Sequence, residues 1–269
     1  MKEIKLNQRR YKGFTLVEML VVITIIAILV TITVPFVFRA MTKSKVATAR
    51  TDMINLKGAI QSYHNDYSRF PTKRGAPSNL YGGDLTFHLP FGRIHADGGA
   101  QHVGNWPPSS PVPMVTPINF AAYGDHVTPG NHVVIAILMA ADFEENQNHR
   151  RNPKKTAYLS PKTADDEFSP GVYTGLIMGK YTGDLVFRDP FGNPYVISVD
   201  LNEDGYVADM FYLQESVSNG ASIGLESNVN GEYVLRGSVM IWSPGPDRQM
   251  NAATGALDKE NIDNILGWR

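Results

Sequence analysis

The sequence of 269 residues contains no cysteine. Without a thiol, the chain can form no disulfide framework, no thiolate metal site and no cysteine nucleophile. A stable fold must therefore come from a packed core, for which a hydrophobic fraction of 43% is sufficient, or from a metal held by oxygen ligands.

An excess of positive charge is also missing from most of the chain. Residues 1–13 contain five Lys or Arg and one Glu, so that 20 basic and 25 acidic residues remain from Phe14 onward. An acidic protein lacks the positive surface that supplies most non-specific affinity for phosphates. We therefore expect no nucleic acid partner.

Residues 14–38 form an apolar run whose single charged residue is Glu18. At a rise of about 1.5 Å per residue, a helix of this length spans the hydrocarbon core of a bilayer. A secretory signal peptide would have a shorter apolar region and a small-residue cleavage site, and a plain anchor would not explain a carboxylate at its start. An acid in a membrane segment is costly and indicates function. Residues 14–38 are predicted to be a transmembrane helix, which Pro35 should kink or locally melt.

The residues Lys12-Gly13-Phe14-Thr15-Leu16-Val17-Glu18 resemble the cleavage and methylation motif of type IV prepilins and type II secretion pseudopilins. The resemblance implies that residues 1–13 are a leader, and that a prepilin peptidase cuts after Gly13 on the cytoplasmic side and methylates Phe14. It also implies that Glu18 faces the N-terminal amine of a neighbouring subunit, which would pair the buried acid with an opposite charge. The expected location is the inner membrane, crossed once, with the globular part in the periplasm.

Residues 39–70 are predicted to be an amphipathic stem helix. The motif Phe70-Pro71 disfavours a helix, so the stem should end near Ser68. Residues 59–75 resemble the corresponding stretch of the major pseudopilin of type II secretion. The apolar side chains recur at spacings of three and four, as in a helix that packs one face on a core: Val46, Ala49, Met53, Leu56, Ile60, Tyr63 and Tyr67.

Residues 71–187 are predicted to be an insertion, because most of them resemble nothing in that family. A short buried helix is expected at 133–141, with Thr128 as its N-cap. Five histidines of the insertion precede the end of this helix, His88, His95, His102, His126 and His132. Their spacing does not match that of helical metal sites, so loop positions are the expectation. A binding or enzymatic module in the insertion, carried on a pilin stem, is the alternative function.

Residues 188–269 are predicted to form an antiparallel sheet. The run Arg188-Asp189-Pro190-Phe191-Gly192-Asn193-Pro194-Tyr195 resembles a turn of the major pseudopilin and leads into a strand at 196–199. The segment 210–213 is the expected return strand. The predicted fold class is α+β, with a pilin-like long N-terminal helix packed on a small antiparallel sheet.

The C-terminal tail is the first candidate for a Ca²⁺ site. Residues 240–247 and 258–268 resemble the calcium-binding tail of the major pseudopilin, and Arg248 stands where that family usually has glycine. Hard oxygen ligands on an irregular loop suit Ca²⁺. The resemblance implies that the ligands are Ser243, Asp247 and Asp263, with Asp258 as a further candidate.

The hairpin loop at 200–205 is the second candidate. Asp200, Asn202 and Asp204 match the first half of a calcium loop, and Gly205 permits the sharp turn. The twelfth position is Phe211 rather than Glu, so the bidentate ligand is missing. An acidic hairpin turn without a metal is an equal alternative.

Enzymatic activity is not expected. Residues 220–224 match G-x-S-x-G by letter, but a nucleophile elbow needs a later histidine, and the last one is His149. The chain also has no P-loop or dinucleotide motif. The predicted function is a non-enzymatic subunit of a type II secretion or type IV pilus-like fibre, built as a homopolymer or with other pilin subunits. The absence of cysteine favours a major pseudopilin, and the unusual length favours a minor one.

Overall fold

The computed structural model describes residues 14–72, 84–87, 130–166, 169–219, 222–228, 231–251 and 253–269. The chain divides into two compact units, Met1–Ser44 and Lys45–Arg269. The second unit is called the body below.

Helix α1, Leu16–Tyr67, begins in the first unit, where every described side chain up to Ser44 is exposed. Threonines in the apolar stretch satisfy their hydroxyls locally: Thr24 and Thr31 each donate to the carbonyl four residues earlier, at 2.8 Å. The helix continues without interruption past Pro35, so the local melting predicted there is not found.

Within the body, α1 buries one stripe of side chains. The stripe confirms the predicted amphipathic pattern, with Val46 and Tyr67 packed partly buried at its two ends. The helix ends at Tyr67, as predicted, where Ser68 adopts a φ of 48° and donates its N–H to the carbonyl of His64 at 2.7 Å. The buried members are Ala49, Met53, Leu56, Ala59, Ile60 and Tyr63.

The body contains antiparallel sheets, which confirms the α+β class. In the described residues the central sheet has the strand order β1-β4-β8-β9, a second has β5-β7-β6, and β2 pairs with β3. The strands are β1 Leu85–Phe87, β2 Gly171–Val172, β3 Phe187–Arg188, β4 Val196–Val199, β5 Tyr206–Ala208, β6 Glu226–Ser227, β7 Tyr233–Arg236, β8 Val239–Ser243 and β9 Ile265–Leu266.

Both faces of the central sheet are buried. Side chains alternate between the faces of a strand, so Ile197 and Ile241 join the core around α1, whereas Met240 and Trp242 join a second core with Phe211. A strand covered on both faces is apolar at nearly every position. This explains why β4 and β8 are mostly apolar and do not alternate with polar residues; the one serine inside β4, Ser198, donates to the buried Asp209.

Helix α2, His132–Leu138, is buried as predicted but is shorter than the expected 133–141. Its N-cap residue is Asn131, and Thr128 lies outside the described residues. The Asn131 amide donates to the carbonyls of Phe187 and Tyr195 at 2.9 and 2.8 Å, and its oxygen accepts the N–H of Phe187 at 3.1 Å. This side chain therefore does not cap the helix. It links α2 to β3 and to Tyr195, the residue immediately before β4.

The predicted insertion contributes directly to the core of the body. Strand β1 pairs with β4 along Leu85–Phe87, and α2 packs in the same core as α1. Of the five histidines named above only His132 is described, and its Nε2 lies 3.0 Å from a carboxylate oxygen of Glu144.

The prediction that residues 210–213 are the return strand of β4 was wrong. Strand β4 pairs instead with β8 and β1, and residues 210–213 form a turn. The cause is Asp209, whose Oδ1 accepts the backbone N–H groups of Phe211 and Tyr212 at 3.0 and 3.1 Å. A side chain that binds these N–H groups competes with a β ladder for them.

The Asp209 carboxylate is fully buried and accepts four hydrogen bonds, the other two from the Ser198 hydroxyl at 2.7 Å and the Trp242 indole N–H at 3.1 Å. We predict that Asp209→Ala lowers the free energy of unfolding by about 3 kcal/mol or more, because several buried donors lose their acceptor. Urea unfolding of the full chain in detergent measures the change. The matched variant, Asp165→Ala at an exposed position, should shift it by less than about 0.5 kcal/mol. Equal losses in the two variants would contradict this role of Asp209.

Candidate functional site

The first candidate site is the start of α1. Thr15 and Glu18 form a reciprocal capping box, which satisfies N–H groups that the first helical turn leaves without partners. Glu18 Oε2 accepts the backbone N–H and the hydroxyl of Thr15 at 2.7 and 2.8 Å, and the Thr15 hydroxyl oxygen accepts the N–H of Glu18 at 3.2 Å. The sequence pattern T-x-x-E signals this cap, but sequence reasoning assigned the acid to fibre assembly alone.

The predicted processing residues lie on either side of the boundary of the described chain. Phe14 is the first described residue and is 75% exposed, and Gly13 lies outside the described residues. Both bonds to Glu18 use Oε2, and no donor in the described part of the chain reaches Oε1. A cation or a further hydrogen-bond donor could therefore bind Oε1 of Glu18 while Oε2 keeps its bonds to Thr15.

Helix α1 is the one helix in the described residues that is long and apolar enough to cross a membrane. Its large apolar side chains before Ser44 are exposed, including Ile23 at 63% and Phe36 at 66%. A soluble protein rarely exposes a continuous apolar surface of this length.

The second candidate site is the tail loop, residues 244–264. It brings together Asp247 and Asp263: the backbone N–H of Asp247 donates to Asp263 Oδ2 at 3.0 Å. Burial raises the pKa of Asp247 to about 6, with further contributions from the negative charges of Asp263 and Glu260. Burial also raises the pKa of Asp263. Two neighbouring carboxyl groups with raised pKa values repel each other when both are ionised. A bound cation would reduce this repulsion and favour the ionised forms.

Buried oxygens in and beside this pair fit a hard cation. Within the described residues, Asp263 Oδ1, Glu260 Oε2 and Asn264 Oδ1 are buried and accept no hydrogen bond. Unsatisfied buried oxygens are rare in folded proteins, and oxygen is the ligand type that Ca²⁺ uses. The described residues do not gather three His, Asp or Glu side chains closely enough to hold a metal by themselves. A bound ion would therefore also need amide or backbone oxygens.

The other predicted tail ligands have different surroundings. The Ser243 hydroxyl donates to the buried carboxylate of Asp189. Asp258 is exposed and donates its N–H to the carbonyl of Gly255 at 3.0 Å. The assignment of these residues as ligands stays a prediction, whereas Glu260 and Asn264 are candidates that sequence reasoning missed. Their signal was their position on either side of Asp263.

Two backbone features shape the tail loop. Gly245 has a φ of 78°, and a Cβ there would overlap the carbonyl oxygen of Asp263, so the chain approaches itself at a point where only glycine fits. Arg248 also adopts a positive φ, 62°. A positive φ is uncommon for residues other than glycine, which agrees with the glycine expected at this position from the resemblance described above.

The tail loop also has internal hydrogen bonds of its own. The buried Asn261 amide donates to the carbonyls of Asn251 and Thr254 at 2.8 and 2.9 Å, and its oxygen accepts the N–H of Asn251 at 2.8 Å. After the loop, the indole N–H of Trp268 donates to the carbonyl of Ile223 at 2.9 Å, which holds the C-terminal residues to the body. Packing and a cation can therefore act together on the tail.

In the hairpin loop, the candidate ligands bind one another and their own backbone. Asp200 accepts the N–H groups of Asp204 and Gly205 at 3.2 and 3.0 Å, and the Asn202 amide donates to Asp204 at 2.9 Å. Asp84, which sequence reasoning missed, accepts the N–H of Ala208 at 2.7 Å. Burial raises the pKa of Asp84 to about 7, and the charges of Asp200 and Asp204 add to the effect. These contacts favour the acidic turn over a metal loop.

Comparison with known proteins assigns the start of the chain to a family. Residues 8–34 match the prokaryotic N-terminal methylation motif, a stretch that includes Gly13, Phe14 and Glu18.

The chain is also similar to the type II secretion system core protein G of several bacteria. It is 31% identical to the Aeromonas hydrophila protein over 116 residues, which cover 43% of this chain and 80% of that protein. It is 26% identical to the Klebsiella pneumoniae protein over 130 residues, which cover 48% of this chain and 84% of that protein. No solved structure matches the chain.

A methylation motif, a membrane-length apolar helix and a match over most of a curated relative agree with one another. The relatives are structural pseudopilins, which is consistent with a role outside catalysis. The chain belongs to the family of type II secretion system core protein G and is a type IV pilin-like pseudopilin, a membrane-anchored fibre subunit that a prepilin peptidase processes.

Proposed function

We propose that this pseudopilin is the repeating building block of a type II secretion fibre, with its body in the periplasm and its N-terminal amine paired with Glu18 of a neighbouring copy. The single observation that carries the proposal is the acid near the start of residues 14–38, a segment that is otherwise uncharged and is exposed throughout. An isolated charge in hydrocarbon is costly, whereas an ion pair between subunits removes much of that cost.

The pairing is compatible with the capping box. Glu18 uses Oε2 for the cap, and in the described residues Oε1 accepts no bond. The positive end of the helix dipole at the same terminus favours the ionised carboxylate. One acid can therefore start the helix and bind the amine of the next subunit.

The proposed processing site predicts a defined mature terminus. Cleavage after Gly13 leaves Phe14 with a methylated amine, because the peptidase must accept a small residue in an extended conformation immediately before the cut. Mass spectrometry of the membrane fraction should show methylated Phe14 in the wild type and an uncut leader in Gly13→Leu. An intact leader in the wild type beside an active prepilin peptidase would contradict the assignment.

The cap and the charge of Glu18 can be separated by two substitutions. Glu18→Gln keeps an oxygen that can cap the helix but removes the charge, and Glu18→Ala removes both. If the ion pair assembles the fibre, both variants should insert into the membrane and neither should form fibres. The reason is that both variants lack the charge, whereas only Glu18→Ala also lacks the cap. Counting sheared fibres measures assembly. Wild-type numbers of fibres from Glu18→Gln would leave only the capping role.

We further propose that the tail loop binds Ca²⁺ through Asp247 and Asp263, with Glu260 and Asn264 supplying further oxygens. The ion would hold residues 244–264 against the end of β8, and its charge would remove the repulsion between the two carboxylates. Support comes from the raised pKa of Asp247 and from the buried oxygens without donors.

Calcium should therefore stabilise the full chain in detergent. A ligand that binds only the native state at about a hundred times its Kd adds roughly 2.7 kcal/mol, which is several degrees in Tm for a protein of this size. Asp263→Ala should melt low and lose the response. Asp204→Ala is the control in the hairpin loop and should keep it. A wild-type Tm that is the same in calcium and in chelator would overturn the site.

The pH dependence gives a further readout of the same site. Because the pKa of Asp247 is raised from 3.8 to about 6, the protonated carboxyl stabilises the apo protein, and this contribution is lost as pH rises through 6. Calcium needs the ionised form, so its stabilising effect should be largest above pH 7 and should decline below pH 6.

A further inference from the structure

A short apolar hairpin protrudes from the body at residues 173–183, called the finger below. Its three tip residues, Leu176, Ile177 and Met178, are 57%, 61% and 100% exposed. The finger is hydrogen-bonded along its length: Ile177 and Lys180 exchange two backbone bonds of 2.9 Å, and Gly183 donates to Thr174 at 3.0 Å. It is therefore a formed element that presents large apolar side chains to solvent.

The turn at the tip is occupied by a residue that suits it poorly. Met178 and Gly179 have φ values of 48° and 78°, the positive pair that a type I′ turn requires. Asn or Gly is preferred at the first of these positions, and a positive φ is uncommon for other residues. Because Met178 is fully exposed, no packing in this subunit accounts for it. An unfavourable apolar residue at an exposed tip indicates a contact outside the subunit.

The body also has an open groove of about 510 Å³ between α1 and residues 158–162. Ile54 on its α1 side is 66% exposed, and Gly58 one turn later would accept a Cβ with no heavy atom within 4 Å. The lining is mostly polar, and the groove offers an incoming residue the exposed side chain of Ile54 and the bare backbone of Gly58.

The charges beside the tip and in the groove are complementary. Lys180 follows the tip, is exposed, and forms no ion pair with any described residue. Asp52 lines the groove, accepts a bond from the Tyr195 hydroxyl at 3.0 Å, and has no cationic partner in the described chain. Burial raises the pKa of Asp52, so a cation brought close to it would favour its ionised form. Lys162, also in the lining, is the one cation there that opposes this pairing.

A second groove, of about 330 Å³, fits the finger less well. It too has exposed apolar residues, Leu257 and Ile262, but its lining includes the guanidinium groups of Arg50 and Arg269 and no acidic side chain. Like charges placed together across an interface are unfavourable. The positive charge of Lys180 would be repelled by the second groove and attracted by Asp52 in the first, so the first groove is the better partner for the finger.

We propose that the Leu176–Met178 tip of one subunit docks in the groove at Gly58 of a neighbouring copy, with Lys180 facing Asp52. A contact between two different surfaces of the same protein is heterologous, and when it does not close into a ring it generates a filament. The proposal rests on the fibre function proposed above and assigns one contact between the bodies of adjacent subunits.

Cysteine crosslinking tests the contact directly, because the native chain has no cysteine. Full-length Met178→Cys/Gly58→Cys, assembled in cells and treated with oxidant in sheared fibres, should give a ladder of covalent dimers, trimers and longer species. Met178→Cys/Ile262→Cys, which places the second thiol in the other groove, is the matched control and should give about tenfold less crosslinked product. Either single variant should remain monomeric apart from rare pairs of like cysteines.

Variants that preserve the fold test the same contact without crosslinks. Gly58→Trp fills the groove, whereas Gly58→Ala leaves most of it open and suits a helix better than glycine. Met178→Asn suits the turn and removes the apolar tip. Gly58→Trp and Met178→Asn should keep the wild-type Tm and lose fibre yield, and Gly58→Ala should keep both. Lys180→Glu should also lose fibre yield, and Asp52→Lys should restore part of it.

The outcomes separate this inference from the proposed function. Wild-type fibres with no ladder, a ladder equally strong through Ile262, or dimers alone would overturn the contact while the fibre function stands. Labelling of Met178→Cys by a lipid-soluble reagent in assembled fibres would also overturn it, since the tip would then lie in the membrane. If the wild-type chain forms no fibre at all in cells with the secretion machinery, the proposed function fails and the contact with it.

Discussion

The buried carboxylate of Asp189 connects segments of the body that are far apart in the sequence. It accepts bonds from the Ser243 hydroxyl at the end of β8 and from the side chain and backbone N–H of Asn193. Asn193 in turn donates to the carbonyl of Gly245 at 2.8 Å, where the tail loop begins. Burial raises the pKa of Asp189, which its hydrogen bonds oppose. The position of the tail loop relative to the sheet therefore depends on Asp189. Burial of this carboxylate would be unfavourable without its hydrogen bonds.

This network gives a physical reason for the turn motif at 188–195. Asp189 accepts the N–H of Phe191 at 2.8 Å, and Gly192 takes a φ of 90°. Tyr195 is fully buried, and its hydroxyl donates to Asp52 on α1. Asp189 thus contacts the sheet, Asn193 the tail and Tyr195 α1, so the turn links all three.

The elements that could be predicted from the sequence are those specified by local patterns. The stripe from Ala49 to Tyr63 and the end of α1 follow from helical spacing and from Phe70-Pro71, and the structure agrees with both. The strand partners could not be predicted in this way. β1 pairs with β4 across more than a hundred residues, and nothing in the alternation of three residues specifies that register. The residues 210–213 resemble a return strand by composition, but the side chain of Asp209 accepts the N–H groups that a strand would need.

The candidate sites show the same division. The sequence located Glu18, Asp247 and Asp263 because their neighbours resemble a known family, but geometry was required to show that Glu18 also caps its helix and that the Ser243 hydroxyl binds Asp189. Glu260 and Asn264 emerged from the burial of oxygens, which depends on how the loop folds back on itself. Asp84 joined the acidic hairpin only because β1 brings it there.

The strand order has a consequence for biogenesis. β8 lies between β4 and β9 in the central sheet and belongs to the last 31 residues of the 269, so the sheet cannot close until synthesis is nearly complete. The apolar anchor, by contrast, leaves the ribosome first. During most of translation the nascent chain therefore carries an uncovered stem stripe, and between residues 199 and 239 it also carries a β4 that lacks its β8 partner. Both are aggregation-prone surfaces. A chaperone that covers these surfaces until β8 is synthesised would protect truncated or stalled chains from aggregation.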